Sequence, residues 1–153
     1  MDRAFTVARL GPDDLPRFRA MNRLFGEVFD DRESYAAHPP DDRYAGALLA
    51  RPDTVLLVAE AGGETVGALA AYVLPKFEQA RSEIYLYDLA VAEPWRRRGV
   101  ATALIDEVRR IAREIGAWVI YVQADTGAED AAAIALYDKL GTRENVLHFD
   151  IAP

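Results

Sequence analysis

The sequence predicts an α/β protein with a mixed sheet and helices on its faces. Three observations carry that expectation. Two apolar strand-like runs, Thr54–Glu60 and Thr65–Leu74, flank the tight-turn signal Ala61-Gly62-Gly63-Glu64, which marks an antiparallel hairpin. A strand-like run, Glu83–Val91, leads through a basic turn into an amphipathic stretch with Val100, Leu104, Val108, Ile111 and Ile115 on one face. Beyond Gly116, Trp118–Ala124 is a nearly continuous apolar run, as expected of a strand buried on both faces.

The remaining elements follow from the same rules. Phe5–Leu10 alternates as a first strand. Gly11-Pro12-Asp13-Asp14 reads as a helix start, with proline in the first turn and acids at the positive end of the dipole. Leu15, Phe18, Met21, Leu24, Phe25 and Phe29 recur at helical spacing. The acidic stretch Asp30–Asp42 contains a turn and a short helix, and Tyr44–Ala50 is another, stopped before Pro52. Asp130 is placed to cap a helix over Ala131–Leu140, and Arg143–Ile151 is read as the last strand. The order is β-α-α-β-β-β-α-β-α-β, within a single domain over residues 1–153.

Composition narrows the function. Hydrophobic residues are 51% of the 153, enough for an ordinary core. No apolar run reaches the roughly 18 residues of a membrane span, and Met1–Phe5 lacks the apolar stretch of a secretion signal. These features fit a cytoplasmic protein. With no cysteine and with His38 and His148 far apart, no metal site is expected. A net charge of −7 argues against nucleic acid and for a cationic partner.

Arg96-Arg97-Arg98-Gly99-Val100-Ala101, extended to Thr102, is the most informative segment. Free N–H groups at a helix start, the helix dipole and a glycine backbone suit a pyrophosphate. The pattern Arg-x-x-Gly-x-Ala after the fourth strand, followed by Ala133-Ile-Ala-Leu-Tyr137-Asp-Lys-Leu-Gly141, resembles the GNAT N-acetyltransferase superfamily. Gly67–Gln79, Arg81–Tyr85, Tyr87–Val91, Val119–Asp125, Phe25-Gly26, Tyr35, His38, Pro40-Asp41, Tyr44 and His148-Phe-Asp150 resemble the aminoglycoside 3-N-acetyltransferases of type I.

That resemblance implies acetyl-CoA as donor, the 3-amino group of a deoxystreptamine antibiotic as acceptor, and a homodimer. It places the pantetheine arm along Leu89-Ala90-Val91, with an N–H near Leu89 or Ala90 polarising the thioester. Asp88 is the expected acceptor-binding base, with Glu83 as the other candidate, and Tyr137 is the expected acid or hydrogen-bond donor at sulfur. Tyr35, Asp125, Glu129 and Asp150 are expected to bind the acceptor, with Asp30, Asp31, Glu33, Asp41, Asp42 and Asp130 adding negative charge. Tyr72, Phe77 and Tyr85 offer walls for sugar rings; His38 and His148 are read as structural. A polyamine acceptor, a peptide acceptor and a non-catalytic coenzyme A-binding domain are the competing readings.

Overall fold

The computed structural model describes residues 4–153; residues 1–3, part of the stretch read for a secretion signal, lie outside them. The elements are β1 (Thr6–Arg9), α1 (Leu15–Val28), α2 (Arg32–Tyr35), α3 (Asp42–Leu49), β2 (Thr54–Ala61), β3 (Glu64–Pro75), β4 (Ser82–Val91), α4 (Val100–Ile115), β5 (Val119–Val122) and α5 (Ala131–Leu140). Two compact units result, one through Val122 and one over Gln123–Pro153.

In the first unit the strands run in the order β1-β2-β3-β4-β5. All neighbours are antiparallel except β4 and β5, which are parallel. The β2–β3 hairpin turns at Gly62 (φ 58°) and Gly63 (φ 84°), a left-handed pair that matches strand twist. One face of the sheet carries Leu56, Val58, Ala68, Ala70 and Ala90, which pack with Leu10, Phe18, Met21, Leu24, Phe25, Ala45 and Leu49. The other face meets α4, whose Val100, Leu104, Val108 and Ile111 are buried. Gly116 (φ 74°) ends α4, and the Ala117 N–H reaches back to the Ala112 carbonyl at 2.9 Å.

One irregularity in β4 decides the site. Ala70 pairs with Asp88, but the next residue, Ala71, pairs with Leu86. Tyr87 is therefore an extra residue, a β-bulge. Simple alternation would put Asp88 on the face of Leu86. The bulge moves it instead to the face of Ala68 and Ala70, beneath α1 and α2.

Several sequence expectations need correction. The first helix begins at Leu15, so Pro16 rather than Pro12 occupies its first turn. The Asp14 carboxylate accepts from the Gly11 N–H at 2.7 Å instead of capping the helix. The fifth strand is only four residues long and half-buried, and its ladder with β4 runs only from Glu83 to Leu86.

In the second unit, Asp130 makes no capping bond. Its carboxylate accepts from the Asp125 N–H at 2.9 Å. Within this unit, taken by itself, residues 143–151 form no strand, although their alternation predicts one. Leu147 and Phe149 are 84% and 77% exposed.

Candidate active site

The bulged carboxylate has a definite partner. The Tyr35 hydroxyl donates to Asp88 Oδ2 at 2.9 Å. Tyr35 is set there by a tight corner between α1 and α2. Its ring and those of Phe25 and Phe29 lie 5.6 Å apart, centroid to centroid, in each pairing. Asp31 caps α2 by accepting from the Ser34 N–H at 3.1 Å.

Burial pushes the Asp88 carboxyl above the usual carboxylate range, and the Tyr35 hydrogen bond partly opposes that rise. Burial, followed by the bond and charge of Asp88, holds the Tyr35 phenol well above its ordinary value, so it remains a donor. Tyr35→Phe is therefore expected to lower kcat/KM by about tenfold, the scale of one hydrogen bond to a charged group. It should also move the acidic limb of the pH–rate profile upward, because the ionised carboxylate loses a donor. A limb that stays in place would show that the bond does not tune Asp88.

Beside Asp88, β4 has an open edge. Its pairing with β5 ends at Leu86 and Val122, so residues 87–91 have a ladder partner only on the β3 side among the described residues. The Ala92 N–H donates to the Val66 carbonyl at 2.9 Å. Antiparallel alternation then turns the N–H of Ala90 toward Ala68 and those of Leu89 and Val91 toward the open edge. Of the two residues expected to polarise a thioester, Leu89 is thus the one with an outward N–H. The Val91 carbonyl accepts from Arg96 Nε at 3.3 Å.

The basic turn follows. Arg97 (φ 61°) and Gly99 (φ 82°) are left-handed, and Gly99 is the N-cap of α4 without a side-chain cap. The N–H groups of Val100, Ala101 and Thr102 precede the first intrahelical donor, Ala103, which bonds the Gly99 carbonyl at 3.0 Å. The Arg98 guanidinium lies 5.1 Å from the Trp95 ring centroid. This cradle fits a diphosphate: its amides are uncapped, and the space above Gly99 is open to 4 Å. A left-handed L-residue costs roughly 1–2 kcal/mol. Gly99→Ala should therefore weaken acetyl-CoA binding by about tenfold in calorimetry; unchanged affinity would remove this turn from the site.

Glu83 lies on β4 opposite Leu74, on the far side of the bulge from Leu89, with Oε1 3.7 Å from Lys76 Nζ. Other expected acids are committed locally. Asp41 caps α3 through the Tyr44 N–H at 2.8 Å, Asp42 pairs with Arg19 at 2.8 Å, and Glu33 meets His38 at 2.9 Å. Phe77 is 97% exposed on the β3–β4 loop.

In the second unit, Tyr137 lies on α5, and its carbonyl accepts from the Gly141 N–H at 2.9 Å. Asp138 pairs with Arg143, and Asp150 with His148 at 2.9 Å. Glu129 lies in the short 3₁₀ turn Ala128–Asp130, and Asp125 precedes it.

The sequence reading missed Tyr87 and Tyr121. Tyr121 stacks on Tyr85 with centroids 4.7 Å apart, Tyr87 meets Tyr85 edge-on at 5.4 Å, and Tyr72 meets Tyr87 at 5.8 Å. The spacing Tyr85-x-Tyr87 already suggested a shared face, but only the bulge puts Asp88 there too.

The sequence matches the model of the Acetyltransferase (GNAT) family over residues 18–142. N-acetyltransferase family 8 member 2 of Rattus norvegicus is 33% identical over 92 residues, which are 60% of this chain and 40% of that protein. The chain thus spans about two fifths of that curated relative's length. An aminoglycoside acetyltransferase from an uncultured soil metagenomic sample is 50% identical, with a TM-score of 0.96 over 100% of this chain and 99% of that one. A second one of soil metagenomic origin, solved in complex with sisomicin, is 30% identical, with a TM-score of 0.88 over 97% and 96%.

Proposed function

Because the chain belongs to the acetyltransferase (GNAT) family, we propose that it transfers the acetyl group of acetyl-CoA to the 3-amino group of deoxystreptamine aminoglycosides. The observation that carries this reading is the half-buried Asp88 carboxylate, tethered by Tyr35 and set by a bulge next to the outward Leu89 N–H. The 50% identity to an aminoglycoside acetyltransferase supports the acceptor class.

Acetyl-CoA supplies the activated acyl group as a thioester. The Val100, Ala101 and Thr102 amides and the arginines Arg96, Arg97 and Arg98 hold its diphosphate. The open edge of Leu89 and Val91 pairs with the amides of its pantetheine arm. The Leu89 N–H donates to the thioester carbonyl oxygen as negative charge develops there, a kind of stabilisation worth about 3–4 kcal/mol where one such donor has been removed.

Asp88 binds the acceptor as an ammonium and then takes its proton, directly or through water, freeing the lone pair for attack. Burial makes it a stronger proton acceptor than an exposed aspartate. Tyr137 serves the departing sulfur as donor, and Asp125, Glu129 and Asp150 attract the remaining ammonium groups; these roles rest on the family resemblance. The same resemblance supports a homodimer, and composition a cytoplasmic location. Acetylation converts an ammonium to a neutral amide, removing a charge that the drug uses against RNA phosphates and so inactivating it.

Steady-state assays with gentamicin beside spermidine test the acceptor. Rapid gentamicin turnover is expected; fast spermidine turnover with no measurable drug acetylation would reject the reading.

A further inference from the structure

The sheet face that carries Asp88 also carries a row of four tyrosines. Tyr72, Tyr85 and Tyr121 sit side by side on β3, β4 and β5, as the pairings Tyr72↔Tyr85 and Tyr85↔Tyr121 require. Tyr87, two residues on from Tyr85, shares that side, and its ring lies within 5.8 Å of both Tyr72 and Tyr85. Two of the four are open to solvent, Tyr87 at 56% and Tyr72 at 37%, while Tyr85 and Tyr121 are half-buried beside them. The row continues at Tyr72 into a cleft of about 520 Å³ lined by Tyr44, Leu48 and Leu74 as well. The volume lies within the roughly 300–1,000 Å³ of small-molecule sites.

We propose that Tyr72, Tyr85, Tyr87 and Tyr121 form an acceptor platform that selects rigid ring amines bearing several ammonium groups over flexible linear polyamines. This deepens the acetyltransferase reading and rests on it. An amine seated at Asp88 places the rest of its skeleton over the row. Tyr85 and Tyr121 stack on one another, so the cation contact falls chiefly to the exposed Tyr87 ring, set 71° and 75° to Tyr85 and Tyr72. An ammonium over an electron-rich ring face gains about 0.5–2 kcal/mol, more as water is excluded. The apolar faces of saturated rings cover the exposed aromatic carbon. A rigid ring system loses less conformational freedom on this aromatic surface than a linear chain, so the same contacts leave more net affinity. Burial and the nearby Asp88 charge keep the Tyr72 and Tyr85 phenols above their ordinary values, and thus neutral hydrogen-bonding groups. The chain's net charge of −7 complements the same ligand class.

Calorimetry of gentamicin with the full chain, its Tyr87→Leu and Tyr87→Phe variants, alongside spermidine kinetics, tests the platform. Tyr87 is exposed, so both variants are expected to fold. Tyr87→Leu should weaken gentamicin binding by about tenfold, the equivalent of one or two ring contacts, and raise spermidine KM by a clearly smaller factor. Tyr87→Phe, which keeps the ring, should bind gentamicin within about threefold of the parent chain. Unchanged gentamicin affinity in Tyr87→Leu, equal losses for both amines, or no gentamicin binding to the parent chain would each overturn the proposal. Gentamicin binding that depends on Tyr87, without 3-N-acetyl product, would leave the platform standing and remove the functional reading. Product at the 3-amino group with an indifferent Tyr87→Leu would do the reverse.

Discussion

Asp88→Asn is expected to lower kcat with an aminoglycoside by about 10²-fold or more, the usual scale for losing an acid–base group. The amide keeps the volume and can still accept from Tyr35, so the site loses its proton acceptor and little else. The parent chain should show an acidic limb above the ordinary carboxylate range, because burial raises the Asp88 carboxyl. The variant should lack that limb. Stability should move the other way. A carboxyl raised by folding contributes stability that is fully present below its unfolded value and lost as pH rises through its folded value. At neutral pH the charged group is therefore a net cost, and Asp88→Asn should melt no lower than the parent at pH 7.5. A near-normal rate across pH 6–9, or a clear loss of Tm, would show Asp88 to be a structural residue.

The second large effect is expected at Gly67, far from the reacting atoms in sequence. A Cβ there would stand 2.5 Å from Val100 Cγ1 and 3.3 Å from Leu104 Cδ1. Val100 is the first residue of α4, buried, and β-branched, so its χ1 cannot swing freely aside. Gly67→Ala must therefore push the start of α4 off the sheet. Overpacking of this kind costs about 1–3 kcal/mol, or roughly 2–10 °C of Tm for a chain this size. The same displacement moves the Val100–Thr102 amides, so acetyl-CoA affinity should fall by about tenfold or more while the pH profile set by Asp88 stays put. An unchanged Tm with unchanged acetyl-CoA affinity would mean that α4 is not seated by this contact.

Much of the fold was legible because its signals are local. Gly62-Gly63 dictates a left-handed hairpin turn, and both glycines are left-handed. The Val100/Leu104/Val108/Ile111 stripe defines the buried face of α4, and Gly116 stops it where expected. Gly99, read as the first residue of that helix, stands one position earlier as its N-cap with a left-handed backbone.

What escaped the sequence reading depends on pairing. Nothing in Tyr85-Leu86-Tyr87-Asp88 announces that two residues of β4 will face one of β3. Alternation alone would send Asp88 into the layer under α4. The Tyr35–Asp88 bond joins residues 53 apart and needs the α1–α2 corner to exist first. Asp130 had the right position for a cap, but it found a competing donor in the Asp125 N–H. Arg143–Ile151 alternates like a strand, yet alternation supplies no hydrogen-bond partner. The acids after α1 were legible as charge, but not as the caps and ion pairs that Asp31, Asp41 and Asp42 make.

The central claim is that Asp88 and the outward Leu89 N–H act together on one defined nitrogen. Its most direct test is the mass and regiochemistry of the product formed from gentamicin and acetyl-CoA, read by mass spectrometry and two-dimensional NMR. A single acetyl group on the 3-amino nitrogen, absent with Asp88→Asn, is the predicted result. Acetylation at another position, or product formed equally well by Asp88→Asn, would contradict it.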